Sequence, residues 1–177
     1  MTTRQFPWTD VRDAPWLLLQ SWRRHLTSGS PAVDFTFGLG WKQGPHAHAE
    51  GPFMISVTQY TPTRLTDLPD IWLAAESLGD QLIQIDGAVG VMTYLRPGRR
   101  HLGSMSIWAD DRGLKDFIKL PDHVEIMRKY RPRGLPLRSA TWWSDELEVS
   151  AAVTEGLRIL DNDQQQRVVR SLDHTDP

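Results

Sequence analysis

The alternation of apolar and polar residues between positions 103 and 143 predicts a strand, two helical segments and a further strand. Positions 104–108 alternate with a period of two, which is typical of a strand. From 114 to 127 the apolar residues recur instead at helical spacing. Pro121 interrupts this run, and proline is well tolerated in the first turn of a helix. We therefore predict that one helix ends just before Pro121 and that a second begins there.

Three more elements are predicted before position 103. Period-two patterns indicate strands at 53–60 and 88–95, and helical spacing indicates a helix over 67–78. Pro97 and Gly98 have the signature of a type II turn, which would pair the second of these strands with the next one. Residues 137–143 form a fourth strand. The order β-α-β-β-α-β, with right-handed crossovers, predicts a ferredoxin-like α+β fold with a four-stranded antiparallel sheet and both helices on one face.

Three parts of the chain are distinguished by this pattern. Residues 1–52 are predicted to be an N-terminal extension that packs on the core and contains a short strand at 33–41. Residues 53–143 form the ferredoxin-like domain. Residues 144–177 hold a C-terminal helix as far as position 160, followed by a polar tail that is expected to fray and to be dispensable for folding.

One face of the predicted sheet has no helix on it. Met54, Tyr94 and Trp108 are large side chains on strand faces that two helices cannot both cover. A sheet face of this kind has to be covered, either by the N-terminal extension or by a second copy of the sheet. The second copy is the simpler solution, so we predict a homodimer formed through the open sheet faces.

Composition excludes several classes of function. A formal net charge of -2 and a pI near 6.3 give no reason to expect nucleic acid as a partner. Cysteine is absent, so disulfides, thiol nucleophiles and thiolate metal sites are excluded. The apolar runs are too short to cross a membrane, and the first residues lack the pattern of a signal peptide. We expect a cytoplasmic protein without a membrane partner.

His123 is the best candidate for a catalytic residue. A histidine in a pocket acts as a general acid or base near neutral pH, or binds iron through one ring nitrogen. Leu120, Val124 and Met127 form an apolar stripe that is predicted to pack toward the sheet, which would place His123 at the rim of the space between helix and sheet. The alternative is a structural histidine bonded to Asp122 or to the backbone.

Aromatic side chains and small hydroxyl side chains are predicted to line a pocket next to this histidine. The hydroxyl groups would leave room for a substrate and donate hydrogen bonds to its carbonyl group. As an alternative, the polar positions would face a dimer interface. The predicted substrate-binding residues are Tyr60, Tyr94, Ser104, Ser106, Trp108, Phe117, Met127 and Trp142.

Two basic runs, 96–101 and 128–138, are candidates for binding an anionic group. Arginine binds carboxylate and phosphate groups bidentately, so an anionic substrate would fit. The predicted anion-binding residues are Arg99, Arg100 and Arg128. The alternative is that these runs are solvated turn and helix faces.

His46 and His48, followed by Glu50, have a spacing that metal sites use. Glycine and proline surround them, which favours a flexible loop. We therefore predict no metal site among these residues.

The segment from Gly103 to Tyr130 resembles the pattern of the spheroidene monooxygenase-like proteins. That pattern is a strand ending in Trp plus an acid, a helix with a central Phe, then Pro-x-His and a following Met-Arg. The matching residues are Trp108, Asp110, Phe117, Pro121, His123, Met127 and Arg128. At the level of the fold the likeness covers about residues 53–143. It lies within the dimeric α/β-barrel superfamily, which includes antibiotic-biosynthesis monooxygenases and heme-degrading monooxygenases.

The resemblance implies a pocket between sheet and helices in each subunit of a homodimer, used for oxidative tailoring of a small hydrophobic or aromatic molecule. Some members work without a cofactor and some bind heme, so the expected cofactor is either none or heme. The heme-degrading members place their iron-binding histidine about one helical turn later, where this chain has Met127. Two alternatives are a non-catalytic dimer that binds heme or a hydrophobic ligand, and a purely structural dimer.

Overall fold

A computed structural model describes residues 36–173, and predictions for residues 1–35 and 174–177 fall outside this range. The strands are β1 (Phe37–Gln43), β2 (Phe53–Tyr60), β3 (Ala88–Arg96), β4 (His101–Trp108) and β5 (Arg138–Ser144). The helices are α1 (Leu68–Leu82), α2 (Asp111–Ile118), α3 (Pro121–Tyr130) and α4 (Val149–Asp173). None of these four helices is both long enough and apolar enough to span a membrane.

The strands form one antiparallel sheet in the order β1-β3-β4-β2-β5. From β2 to β5 the element order is the predicted β-α-β-β-α-β, with α2 and α3 together as the second helical region. The fold is therefore α+β and ferredoxin-like, with five strands in place of the predicted four.

The fifth strand, β1, comes from the segment that was predicted to be an extension. It pairs along β3, with Phe37 opposite Leu95 and Gln43 opposite Gly90. The register shifts between Leu39 and Trp41, around Gly40, which has a φ of 55°. A bulge with a left-handed glycine is compatible with a strand, which explains the glycines in this part of the sequence.

The turn between β3 and β4 differs from the predicted type II turn. The hairpin itself is confirmed, but Pro97–Arg99 form a turn of 3₁₀ helix. The left-handed backbone conformation falls on Arg100, with a φ of 58°, and not on Gly98.

The ladder register assigns the side chains of the sheet to two faces. On one face, α1, α2 and α3 pack over two apolar clusters with hydroxyl side chains between them. The buried residues of the first cluster are Tyr60, Ile71, Trp72, Leu95, Leu102 and Tyr130. Those of the second cluster are Met54, Leu82, Ala88, Val91 and Trp108, with Phe117 packed against them. The opposite face carries the other half of the strand residues and packs against α4.

Helix α4 corrects the prediction of an open sheet face. Ile55 and Met105 on this face are no more than 1% exposed, and they lie in one cluster with Val153, Leu157 and Leu160 of α4. The three α4 residues recur at helical spacing and form the apolar stripe that covers the sheet. The prediction that this sheet face is open is therefore wrong. A homodimer stays a prediction.

The C-terminal helix extends beyond its predicted end at Leu160, and the dispensability of the residues that follow stays a prediction. Helix α4 continues without interruption to Asp173. Asp161 accepts two hydrogen bonds from Arg96, at 3.2 and 3.1 Å, and the Arg96 residue is only 4% exposed. A buried guanidinium needs such a carboxylate, so at least Asp161 contributes to folding.

Candidate functional site

An open groove with a volume of about 680 Å³ lies along the outer side of α3. We call it the α3 groove. Among the described residues it is lined by Ile118, His123, Val124, Met127, Arg128, Arg131 and Pro132. It therefore joins His123, Met127 and Arg128, three residues that the sequence singled out, on a single surface.

The groove exists because α3 turns a different face to the sheet from the predicted one. Ile126 and Tyr130 pack into the first apolar cluster, and the Tyr60 hydroxyl donates a hydrogen bond to the Tyr130 carbonyl oxygen at 2.8 Å. Val124 is 52% exposed. The prediction that the Leu120–Val124–Met127 stripe faces the sheet is wrong, because a large aromatic ring buries more surface than a valine does.

His123 is held at the junction of α2 and α3 by a backbone contact. Its Nδ1 atom lies 3.2 Å from the carbonyl oxygen of Ile118, the last residue of α2. A carbonyl only accepts hydrogen bonds, so Nδ1 is the nitrogen that carries the hydrogen. The other nitrogen, Nε2, then has a free lone pair, which suits it to accept a proton or to bind a metal ion.

The protonation state of His123 follows from its surroundings. Burial lowers the pKa of the ring below its usual 6.5, while the hydrogen bond to the Ile118 carbonyl raises it and only partly compensates. The ring is consequently neutral at neutral pH. The alternative partner Asp122 accepts a hydrogen bond from Gln81 Nε2 of α1 at 2.7 Å instead.

Contacts between aromatic rings connect His123 to the sheet. The ring centroids of His123 and Phe117 are 4.9 Å apart, and those of Phe117 and Trp108 are 6.0 Å apart. Trp108 is fully buried, and its Nε1 donates a hydrogen bond to Ser106 Oγ at 2.9 Å. Phe117 thus fixes one side of the histidine ring, and Trp108 lies behind it without lining the α3 groove.

The hydroxyl groups between the two apolar clusters bond to one another. Thr58 Oγ1 and Ser104 Oγ are 3.0 Å apart, and Thr141 Oγ1 donates to Ser56 Oγ at 3.3 Å. Ser104 and Ser106 therefore lie on the face predicted for them. In the described structure they stabilise the sheet and do not line the α3 groove.

Tyr94 and Trp142 lie on the opposite face from Trp108. Tyr94 packs over Gly103, where an added Cβ would come within 2.3 Å of the tyrosine ring. Its hydroxyl donates to the Thr58 carbonyl oxygen at 2.8 Å, and burial raises its pKa. A single cavity lined by both Tyr94 and Trp108 is therefore not formed: Tyr94 is opposite Gly103, and Gly103 and Trp108, five residues apart on β4, face opposite sides of the sheet.

The predicted anion-binding arginines are dispersed over the molecule. An Arg99 nitrogen lies 3.6 Å from an Asp161 carboxylate oxygen, and Arg100 donates to the Thr63 carbonyl oxygen at 3.3 Å. Arg128 alone of the three lines the α3 groove.

The loop between β1 and β2 carries the paired histidines of the sequence. His46 Nε2 is 2.7 Å from an oxygen of Asp86, and His48 is exposed. Between residues 36 and 173, no three histidine, aspartate or glutamate side chains come together in a way that would hold a metal ion.

Arg131 lies in the basic run 128–138 but was not among the three predicted anion-binding residues, and Ile118, Val124 and Pro132 were not predicted to line a groove. Arg131 follows Arg128 at a spacing of three, which places both side chains on one side of a helix. Read together with an outward-facing Val124, that spacing would have identified the groove.

No family model matches the chain, and no curated protein matches it either. Similar solved structures include a mutant of SnoaB, a cofactor-independent oxygenase from Streptomyces nogalater, at 9% identity and a TM-score of 0.47, over 56% of this chain and 99% of that chain. A structure described as an antibiotic biosynthesis monooxygenase is 10% identical, with a TM-score of 0.44, over 54% of this chain and 99% of that chain. Rv0793 from Mycobacterium tuberculosis is 10% identical, with a TM-score of 0.48, over 55% and 98%.

The aligned parts cover about half of this chain. One of these neighbours is named as an oxygenase and another as a monooxygenase. The specific likeness to spheroidene monooxygenase-like proteins and the dimeric barrel both stay predictions.

Proposed function

We propose that the protein is a small oxygenase-type enzyme that acts on a hydrophobic or aromatic small molecule bound in the α3 groove, with His123 as its acid–base group. The observation that carries the proposal is the state of the histidine ring. Its Nδ1 hydrogen is engaged by the Ile118 carbonyl, its pKa is lowered, and it lies in the wall of an open groove. This is the state that a general base requires near neutral pH.

The reaction begins with removal of a proton by Nε2 of His123 from an acidic C–H or O–H group of the substrate. The resulting anion is richer in electrons and is more easily oxidised by dioxygen. For an activated CH₂ group that becomes a carbonyl, dioxygen supplies one oxygen atom to the product and the other leaves as water. The substrate loses two hydrogens, so no further reductant is needed.

Other predicted residues have supporting roles in this proposal. Met127 in the groove wall contacts the apolar body of the substrate, and Arg128 contacts an anionic group if one is present. Phe117 and Trp108 fix the histidine ring from behind. Tyr60, Ser104 and Ser106 stabilise the sheet and helices that carry the groove. Tyr94, Trp142, Arg99 and Arg100 lie away from the groove and are assigned no contact with the substrate.

Heme is the cofactor that the resemblance allows, and the groove has groups that suit it. His123 Nε2 would hold the iron, Met127 lies one helical turn further along the same groove, and Arg128 and Arg131 would hold the propionates. A bound heme would supply oxygen activation. The second candidate function, a non-catalytic heme-binding or hydrophobic-ligand-binding protein, uses the same Nε2 atom.

Oxygen uptake with anthrone as a probe tests the proposal, since anthrone has an acidic CH₂ group next to aromatic rings. We expect His123→Ala and His123→Gln to lower the rate by about a hundredfold or more, because neither side chain titrates in this range. The rate of the wild-type enzyme should fall as the pH drops through the lowered pKa of His123, since a protonated ring cannot act as a base.

The matched controls are His48→Ala and His48→Gln, which change an exposed histidine of the loop before β2 and should leave the rate unchanged. Near-wild-type rates in folded His123 variants would contradict the proposal. A Soret absorbance band that disappears in His123→Ala, without oxygen uptake by any form, would favour the binding function.

A further inference from the structure

We propose that the α3 groove binds small molecules that combine an apolar body with a carboxylate, and that Arg128 and Arg131 hold the carboxylate. This inference rests on the proposed function, because it names the class of substrate for the same groove. It is carried by the distribution of charge along one side of α3, by the geometry of the two arginines and by the apolar surface between them and His123.

The basic residues at the end of α3 divide into two groups with different surroundings. Lys129 lies 3.2 Å from a carboxylate oxygen of Asp70 in α1, and Arg133 lies 3.9 Å from a second carboxylate just before α1. Both cations are therefore compensated on the α1 side. Arg128 and Arg131 line the groove, and neither has an ion pair within the described part of the chain. An acidic residue is also missing from the described lining of the groove.

The two groove arginines are placed to act together. Arg131 caps α3 and keeps helical backbone angles, with φ -50° and ψ -42°. Residues three apart on a helix have Cβ atoms about 5–6 Å from one another, so both guanidinium groups reach the same end of the groove. A planar guanidinium offers paired N–H donors that match the two oxygens of a carboxylate.

The rest of the groove is apolar up to the histidine. Ile118 is 47% exposed and Val124 is 52% exposed, which is unusual for large aliphatic side chains, and Met127 lies between Val124 and the arginines along the helix. From His123 to Arg131 the helix rises by about 12 Å, at 1.5 Å per residue. A carboxylate at the arginine end would therefore place an apolar body over Met127 and Val124 and bring its far end to His123 Nε2.

Binding of 6-phenylhexanoate and of 6-phenyl-1-hexanol to the full-length protein tests this inference. The two probes share the apolar body and the length of the groove and differ only in the carboxylate. The ¹³C signal of the Met127 methyl group, assigned with Met127→Leu, reports binding at the groove itself. We expect the carboxylate to bind roughly tenfold more tightly than the alcohol, with an advantage that shrinks as salt is added.

The variants Arg128→Gln, Arg131→Gln and the double variant should lower the affinity for the carboxylate to that for the alcohol and leave the alcohol unaffected. Arg133→Gln is the matched control, because it removes one charge from the same segment on the α1 side. Equal binding of both probes, an unchanged affinity in the double variant, or no binding of either probe would each overturn the inference. If the arginines serve only the end of the helix, the double variant will lower the melting temperature without changing binding.

This experiment separates the inference from the proposed function. In one outcome, carboxylate binding still depends on the arginines in His123→Ala, but oxygen uptake does not depend on His123. That outcome would remove the catalytic proposal and keep the anionic ligand class. His123-dependent oxygen uptake with arginine-independent binding would do the reverse.

Discussion

The α4 face of the sheet and the outer side of the helical layer differ in how their charged groups are paired. On the α4 face, the buried guanidinium of Arg96 is matched by Asp161, and most of the other side chains are apolar, with Gln59 and His101 as polar exceptions. On the outer side of the helical layer, Arg128 and Arg131 lie in an open groove without an ion pair inside the described part of the chain, next to exposed aliphatic side chains. Polar groups that stabilise a fold are paired, whereas groups that bind a ligand are left available for it.

The difference indicates which part of the molecule stabilises the fold and which part binds a ligand. The α4 face has the features of a core, so substitutions there should change stability. The α3 groove has a neutral histidine with a free nitrogen, so substitutions there should change binding or activity and leave stability almost unaltered. Substitutions on the α4 face and substitutions in the α3 groove test this difference.

Removal of α4 is expected to have the largest effect. A chain that ends at Glu148 exposes the apolar face that includes Ile55 and Met105. Each large side chain loses about 1.5–3 kcal/mol of burial, and a few such losses exceed the stability of a typical domain. We expect an unfolded or aggregated product, measured by circular dichroism and light scattering.

The control chain ends at Asp173 and keeps α4 whole, so it should unfold at nearly the wild-type temperature. A folded monomer without α4 would show that the sheet face is not a core. A folded dimer without α4 would show that two copies associate through the sheet face that α4 otherwise covers.

Asp161→Asn should have the next largest effect. The substitution removes the charge that compensates the buried Arg96. Because Asp161 is partly exposed, the expected cost in the free energy of unfolding is that of a charged hydrogen bond, about 1.5–3 kcal/mol. Asp116→Asn is the control, since Asp116 forms an exposed pair with Arg112 at 3.9 Å. Such a surface pair is worth less than about 1 kcal/mol. The free energy of unfolding of both variants is measured with urea. Similar losses for both would contradict the distinction between the buried pair and the exposed pair.

A smaller and pH-dependent effect is predicted for His101 on the α4 face. Burial lowers the pKa of His101 to about 4, helped by the positive charges of Arg96, Arg99 and Arg138 and opposed by Asp161. The unfolded chain takes up this proton near pH 6.5, whereas the folded protein resists it down to about pH 4. The free energy of unfolding should therefore decrease as the pH falls from about 6.5 to about 4. The loss is at most about 3 kcal/mol, and partial exposure of the ring makes it smaller.

The variant His101→Gln should lack the part of the stability loss that comes from protonation of His101. The measurement is the melting temperature of both proteins between about pH 4 and pH 7, compared as a difference so that the carboxylates titrating in the same range cancel. A constant difference across the range would show that His101 is not responsible.

The sheet was predictable from sequence because its strands have simple patterns. Phe53–Tyr60 and His101–Trp108 alternate with a period of two, and this pattern survives burial of both faces. The orientation of α3 was not predictable in the same way. Two apolar stripes, one through Val124 and one through Ile126 and Tyr130, compete on this helix, and tertiary packing of the tyrosine decides between them.

The candidate site was only partly predictable for a related reason. His123 and Arg128 stand out by residue type, but the partner of Nδ1 is a backbone carbonyl, which no residue pattern reveals. Arg96 and Arg131 look equivalent in the sequence. Their difference depends on Asp161, which α4 brings to one of them and not to the other.

Titration of His123 by NMR shows whether the ring is neutral, with Nδ1 protonated and Nε2 free. In ¹⁵N-labelled protein, two-bond ¹H–¹⁵N correlations distinguish the two tautomers, and the signals of His123 are those absent from His123→Gln. We predict the Nδ1–H tautomer at neutral pH and a pKa below 6.5. An Nε2–H tautomer, or a pKa at or above 6.5, would contradict the account.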